Sequence, residues 1–154
     1  MSDELKKEGP SGSVKSKFVV DKETASDEFD RFCEEWEIDD DVSCMSEDDQ
    51  TGFESQKSKF ISAVRRGRLS LNADGTLLYK FSNKSEKHKG ESITIKRPLG
   101  SSYMEMDGFK DKQLIRKTYS VLASMTGKEI KYFSSIDGID LKPLQAVITL
   151  FLAG

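Results

Sequence analysis

"RLSLNADGTLLYKFS", residues 68–82, sets two short apolar runs on either side of an Asp-Gly pair. Arg68-Leu69-Ser70-Leu71 and Leu77-Leu78-Tyr79-Lys80-Phe81 have strand length, and Asp74-Gly75 supplies the backbone freedom a tight reversal needs. The stretch predicts a β-hairpin. After the polar loop "SNKSEKHKGES", Ile93 and Ile95 alternate with Ser92, Thr94 and Lys96, the period of a half-buried strand. Arg97-Pro98 ends that strand, because proline has no N–H for the ladder and holds the preceding residue extended. Strands at about 68–72, 77–82 and 92–97 form a small antiparallel meander.

Helical patterns flank the meander. Before it, Phe53, Phe60, Ile61 and Val64 make one stripe, closed by Gly67, with Arg65 and Arg66 in the last turn where cations suit the helix dipole. Further upstream, "SDEFDRFCEEWEIDDD" offers Ser26 as an N-cap and Phe29, Phe32, Cys33 and Trp36 at i, i+3, i+4 and i+7. That stripe either docks on the protein's own core or lies in a partner's groove. "DDDVSCMSEDDQTG" reads as a linker or solvated acidic loop, without the carboxylate spacing of a calcium loop. Residues 1–24 offer too little apolar surface to offset the entropy of ordering.

After the meander, Asp111 stands as N-cap to a helix with Leu114, Ile115, Thr118, Leu122 and Met125 on one face, stopped at Gly127. A short element carries Ile130, Tyr132 and Phe133. Asp140 then reads as the cap of a final helix, with Pro143 tolerated in its first turn. Leu141, Leu144, Ile148 and Phe151 form one stripe there, and Val147, Leu150 and Leu152 widen it. The expected fold is α+β: a three-stranded antiparallel meander against a C-terminal helical platform. The boundaries are a disordered arm at 1–24, an acidic helix and linker at 25–52, and a single domain at 53–154.

Charge is unevenly placed along the 154 residues, 33% of which are charged. The first fifty hold 17 acidic and 6 basic residues, the remainder 10 and 18. Such an asymmetry marks an interaction tail, or an arm that folds back onto its own body. Cys33 and Cys44 form no C-x-x-C and His88 is far from both in sequence, so no metal or disulfide framework is expected and the thiols are read as free. The N-terminus lacks the apolar core of a signal peptide, and "AVITLFLAG" falls short of the roughly 17 residues needed to span a bilayer. A soluble, cytoplasmic protein is expected.

Chemistry-bearing patterns are sparse. No phosphate-gripping glycine motif occurs, and His88 pairs with no catalytic serine by any local spacing. Asp137 and Asp140 are three apart, but helix capping accounts for Asp140. Arg65, Arg66 and Arg68 admit phosphate contact, yet no aromatic-interleaved RNA-binding motif accompanies them and a solvated face is the expectation. The residues point to no catalytic site, cofactor or metal.

Read as one unit, residues 91–154 resemble phage tail assembly chaperones of the Mu-like class. In that family a strand ends in a basic residue and proline, a helix follows to a Thr-Gly step, and an Asp-rich cap opens a final helix. Ile93, Ile95, Arg97 and Pro98 match the strand, Thr126-Gly127 the step, Ile136, Asp137 and Asp140 the cap, and Phe151-Leu152 the end. Arg97 stands directly before Pro98, where the family usually places one residue between. The resemblance implies a non-catalytic protein of a phage or prophage, acting in the cytoplasm of a bacterial host. Its implied partner is the tape measure protein, kept soluble until tail tube protein polymerises around it.

On that reading the helices present the client-binding face. Val147, Leu150, Phe151 and Leu152 are the expected contacts, and Phe29, Phe32 and Trp36 the second candidates. Membrane contact is not expected, nor is nucleic acid. A competing reading is an adaptor or regulatory module acting through the acidic N-terminal arm, and a more distant one is an acidic DNA mimic.

Overall fold

The structure, a computed structural model, describes residues 17–100 and 114–153. The expectations for residues 1–16 and for Asp111 fall outside them. Among the described residues the chain is α+β, with five α-helices and a three-stranded antiparallel sheet. The helices are α1 (Lys22–Glu35), α2 (Glu47–Arg65), α3 (Leu114–Thr126), α4 (Ile130–Ser134) and α5 (Gly138–Ala153). The strands β1 (Leu69–Leu71), β2 (Leu77–Lys80) and β3 (Ser92–Ile95) lie in sequence order, the expected meander.

The hairpin turns as its Asp-Gly demands. Asn72 N–H donates to Thr76 O at 2.8 Å, and Gly75 takes φ +87°, a left-handed conformation that costs glycine little. Asp74 Oδ1 accepts from the Thr76 amide and hydroxyl, which holds its carboxyl below the ordinary value. The register places Leu69 opposite Tyr79 and Tyr79 opposite Ile93, so that Leu69, Leu77, Tyr79, Ile93 and Ile95 share the buried face. A one-residue slip would turn this set to solvent, so burial fixes the register.

The start of α2, but not its end, departs from a simple reading of the sequence. The helix starts inside the segment expected to be a linker: Ser46 Oγ accepts from Asp49 N–H, and Glu47, Asp48 and Asp49 fill the first turn at the positive end of the dipole. It ends as expected at Gly67, whose φ is +78° and where an added Cβ would lie 2.8 Å from Val19 Cγ2. Val19 and Val20 donate their N–H groups to Arg65 O, and the Arg65 guanidinium lies 4.1 Å from the Phe18 ring centroid. The N-terminal segment is therefore tied down from residue 17 onward, which corrects the expectation of disorder through residue 24.

Helix α1 begins at Lys22, capped by Asp21 Oδ1 on Thr24 N–H, and not at Ser26. Its aromatic stripe is core. Phe29 and Phe32 are fully buried and Trp36 nearly so. Phe32 stacks on Phe60 at 4.6 Å and Phe29 meets the same ring edge-on at 5.2 Å. Each such pair adds about 0.5–1.5 kcal/mol beyond area burial. One hydrophobic core thus runs from α1 through α2, the sheet and α5, across the boundary expected at residue 53.

Helix α5 packs antiparallel to α2, bringing Leu150 to Phe53 at one end and Pro143 to Ala63 at the other. It also packs on α3. Its cap is Asp137, whose Oδ1 accepts from Ile139 N–H at 2.8 Å, and not Asp140. Asp140 turns inward instead, accepting from Tyr79 Oη at 2.7 Å and Ser82 N–H at 2.9 Å.

Candidate functional site

Three segments build a groove of about 850 Å³ at the end of the sheet. The first is the C-terminus of α1. Glu37 N–H donates to Glu34 O and Ile38 N–H to Cys33 O, with Glu37 at φ 51°, so the chain leaves the helix sharply and Trp36 is held at the corner. Trp36 Nε1–H donates to Gly75 O at 2.8 Å, tying this corner to the hairpin turn. The second segment is the exit from β3, where Lys96 N–H leaves the ladder for Met125 O of α3. Arg97-Pro98-Leu99 then runs along the groove. The third is the end of α5, with Phe151 edge-on to Trp36 at 5.8 Å.

The lining mixes apolar and charged side chains. Trp36, Pro98, Leu99, Phe151 and Leu152 line the groove together with Glu35, Glu37 and Asp74 and with Lys96 and Arg97. Leu99 is 70% exposed and Leu152 36%. Such a surface receives a mixed apolar and charged segment better than a small polar substrate.

Two of the four contacts expected on α5 are misplaced for a client face. Val147 is fully buried and Leu150 is 1% exposed, because α5 is covered on more than one side. Its apolar surplus fills a core between layers. Phe151 is half-buried and Leu152 exposed, both at the groove. Phe29, Phe32 and Trp36 are core residues as well, with only Trp36 reaching the groove wall. Sequence reasoning missed Leu99: it belongs to no periodic apolar pattern, and the signal at hand was the preceding Arg-Pro that ends the strand.

A second polar cluster was equally hidden. His88 is buried between Phe81 and Tyr132, with ring centroids at 4.9 and 4.4 Å. Its Nδ1 lies 3.2 Å from Glu91 Oε1 and its Nε2 3.3 Å from Ser135 Oγ. The order serine, histidine, carboxylate has the form of a nucleophile relay. The same groups carry further bonds that tie them into the fold. The Ser135 and Ile136 N–H groups both go to Phe133 O. Glu91 Oε1 is also taken by Tyr132 Oη at 2.6 Å. These bonds hold the Glu91 carboxyl below the usual range, and burial, reinforced by the bond to Glu91, pushes the Tyr132 phenol above its own. The cluster fastens the β2–β3 loop to α4.

Asp140 has a similar structural part. Burial and the adjoining Asp140 carboxyl push the Tyr79 phenol far above its ordinary value, so Tyr79 keeps its proton and donates it. Among the described residues, no group of three His, Cys, Asp or Glu side chains is placed to hold a metal ion, and no helix is long and apolar enough to cross a membrane. Compared with protein families, with curated proteins and with solved structures, the chain finds no match in any of the three.

Proposed function

We propose that this chain is a non-catalytic phage tail assembly chaperone, which binds apolar helical segments of the tape measure protein and keeps them soluble in the cytoplasm of a bacterial host. The observation that carries this reading is the groove at the Arg97–Pro98 corner. The dipeptide that carries the resemblance to the chaperone family also lines a groove of mixed apolar and charged side chains. An amphipathic helix suits such a surface, setting side chains at i, i+3 and i+4 against Trp36, Pro98, Leu99, Phe151 and Leu152 and its polar flanks against the charged residues. The client then leaves for the growing tail tube, which requires a modest contact area and not a core-like interface.

Co-expression with a tape measure protein tests the reading. Leu99→Ser combined with Leu152→Ser removes exposed apolar contacts and leaves the melting temperature nearly unchanged. The client is expected to shift from the soluble to the pelleted fraction. Each buried aliphatic side chain at a true interface contributes roughly 1.5–3 kcal/mol, so binding weakens by well over about tenfold. A folded double variant that still keeps the client soluble would rule out the groove as the client site.

A further inference from the structure

The acidic and basic halves of the sequence raised the question of whether one folds back on the other. Part of the acidic half does fold back, since Val19 and Val20 bond to Arg65 O at the basic end of α2, but a second group of carboxylates stands at the other end. Asp39, Asp40, Asp41, Glu47, Asp48 and Asp49 are all exposed around the N-terminal end of that helix. Next to Asp48 and Asp49, α2 and the end of α5 enclose a cavity of about 390 Å³, floored by Phe53 and Leu150, and no cation is among the described residues lining it.

The other end of the same helix pair has the opposite character. A cavity of about 430 Å³ lies between the C-terminus of α2 and the start of α5. Lys59, Arg66, Arg68, Lys84 and Lys142 line it, and no carboxylate is among its described lining residues. The carboxyl nearest in sequence to Lys142 is Asp140, which is turned into the core toward Tyr79 and Ser82. Ile139, 39% exposed, gives the basic cavity an apolar edge. With 19 residues, α2 holds the two ends roughly 28 Å apart. That distance exceeds the screening length of about 8 Å at physiological salt, so the acidic end cannot neutralise the basic one within a single molecule.

We propose that the basic cavity is the docking site for the acidic end of α2 from a second copy of this chain. The two surfaces are different patches of one molecule, so they meet either reciprocally in a two-fold dimer or head-to-tail in a ring or an open row. Long lysine side chains at Lys84 and Lys142 reach the carboxylates at Asp48 and Asp49 of the next copy, and Ile139 supplies an apolar contact at the edge. The groove at the Arg97–Pro98 corner lies outside both surfaces. The inference does not rest on the tape measure reading, and its test needs no client.

Sedimentation velocity of the full chain reads the contact directly. Self-association is expected at about 0.01 M salt, where the screening length is about 30 Å, and its loss at about 1 M, where it is about 3 Å. Two exposed-site variants then separate the ends. Lys84→Glu with Lys142→Glu reverses the cavity, and Asp48→Lys with Asp49→Lys reverses the acidic end. Each alone is expected to associate at least about tenfold more weakly, because like charges then face each other. Mixed together they are expected to recover association, since each variant's altered surface complements the other's. A wild-type chain that stays monomeric at low salt overturns the proposal, as does association that neither reversal weakens, or a mixture of two folded variants that stays monomeric. Low-salt binding of a random-sequence oligonucleotide by a monomeric wild type, abolished by Lys84→Glu with Lys142→Glu, would also overturn it and give the cavity to phosphate.

Discussion

Helix α5 and the corner after β3 treat apolar side chains in opposite ways. Leu144, Val147 and Leu150 are shut into the core between α2 and α3, whereas Leu99 stands mostly in solvent between Pro98 and Gly100. A helix satisfies its own backbone, so it can be sunk between layers and bury apolar residues on several faces. The corner cannot be sunk in that way. Pro98 has no N–H to continue the ladder and Lys96 N–H turns to Met125 O, so the chain leaves the sheet as an irregular connection, which runs at the surface and carries its leucine with it. Exposure here follows from backbone bonding more than from side-chain apolarity.

The largest expected effect comes from treating the two regions alike. Val147→Ser with Leu150→Ser puts two hydroxyls into the core and leaves two cavities, at a cost on the order of 5 kcal/mol. That matches the whole stability of a marginal domain, so the variant is expected to be unfolded or to melt far below the wild type by circular dichroism. Leu99→Ser with Leu152→Ser should melt close to the wild type. A folded Val147/Leu150 variant with a wild-type melting curve would mean that α5 is not buried as described.

A smaller effect is expected at the opposite end of α5. Asp140→Ala leaves the Tyr79 hydroxyl and the Ser82 N–H without their acceptor, at about 1–3 kcal/mol for each buried donor stranded. Urea unfolding should show a lower midpoint with an unchanged slope. Tyr79→Phe in the same background should then cost little more, because its partner is already gone. Additive losses would show that the two groups act separately. If Asp140 were only a helix cap, its removal would cost about 1 kcal/mol and Tyr79 would be indifferent to it.

These contrasts show which parts of the fold were legible. The hairpin was, since Asp74-Gly75 fixes a local backbone state, and so were the helix stops at Gly67 and Gly127. The starts of α1 and α2 were not. Their first turns are polar and solvated, so no apolar period announces them, although Asp21 to Thr24 and Ser46 to Asp49 carried a capping signal in the sequence. Asp137 and Asp140 are both plausible caps three residues apart, and only the approach of Tyr79, 61 residues from Asp140, selects between them. The groove joins Trp36, Gly75, Leu99 and Phe151, and His88 meets Ser135 across 47 residues. Separations of that size leave no local pattern to read.

The smallest expected effect compares one residue type in both environments. Cys33 is 3% exposed on the buried face of α1, and Cys44 is exposed in the turn before α2. Burial, reinforced by the nearby Asp40 and Asp30 carboxyls, pushes the Cys33 thiol from 9.0 up to about 12. The thiolate is the reactive form, so Cys33 is blocked both by access and by protonation. A disulfide reagent at neutral pH should label one thiol per chain quickly, and Cys44→Ser should remove that fast phase without moving the melting temperature. The second thiol should react only as fast as the protein opens. The raised value also sets a sign: the unfolded chain loses this proton near pH 9.0 and the folded chain holds it to about 12. The stabilising contribution is therefore complete below pH 9.0 and is lost as pH rises toward 12. Cys33→Ala should flatten that alkaline decline, at some loss of packing. Rapid labelling of both thiols in the native protein would mean that α1 detaches readily from α2, and the aromatic stripe of Phe29, Phe32 and Trp36 would then be open to a partner after all.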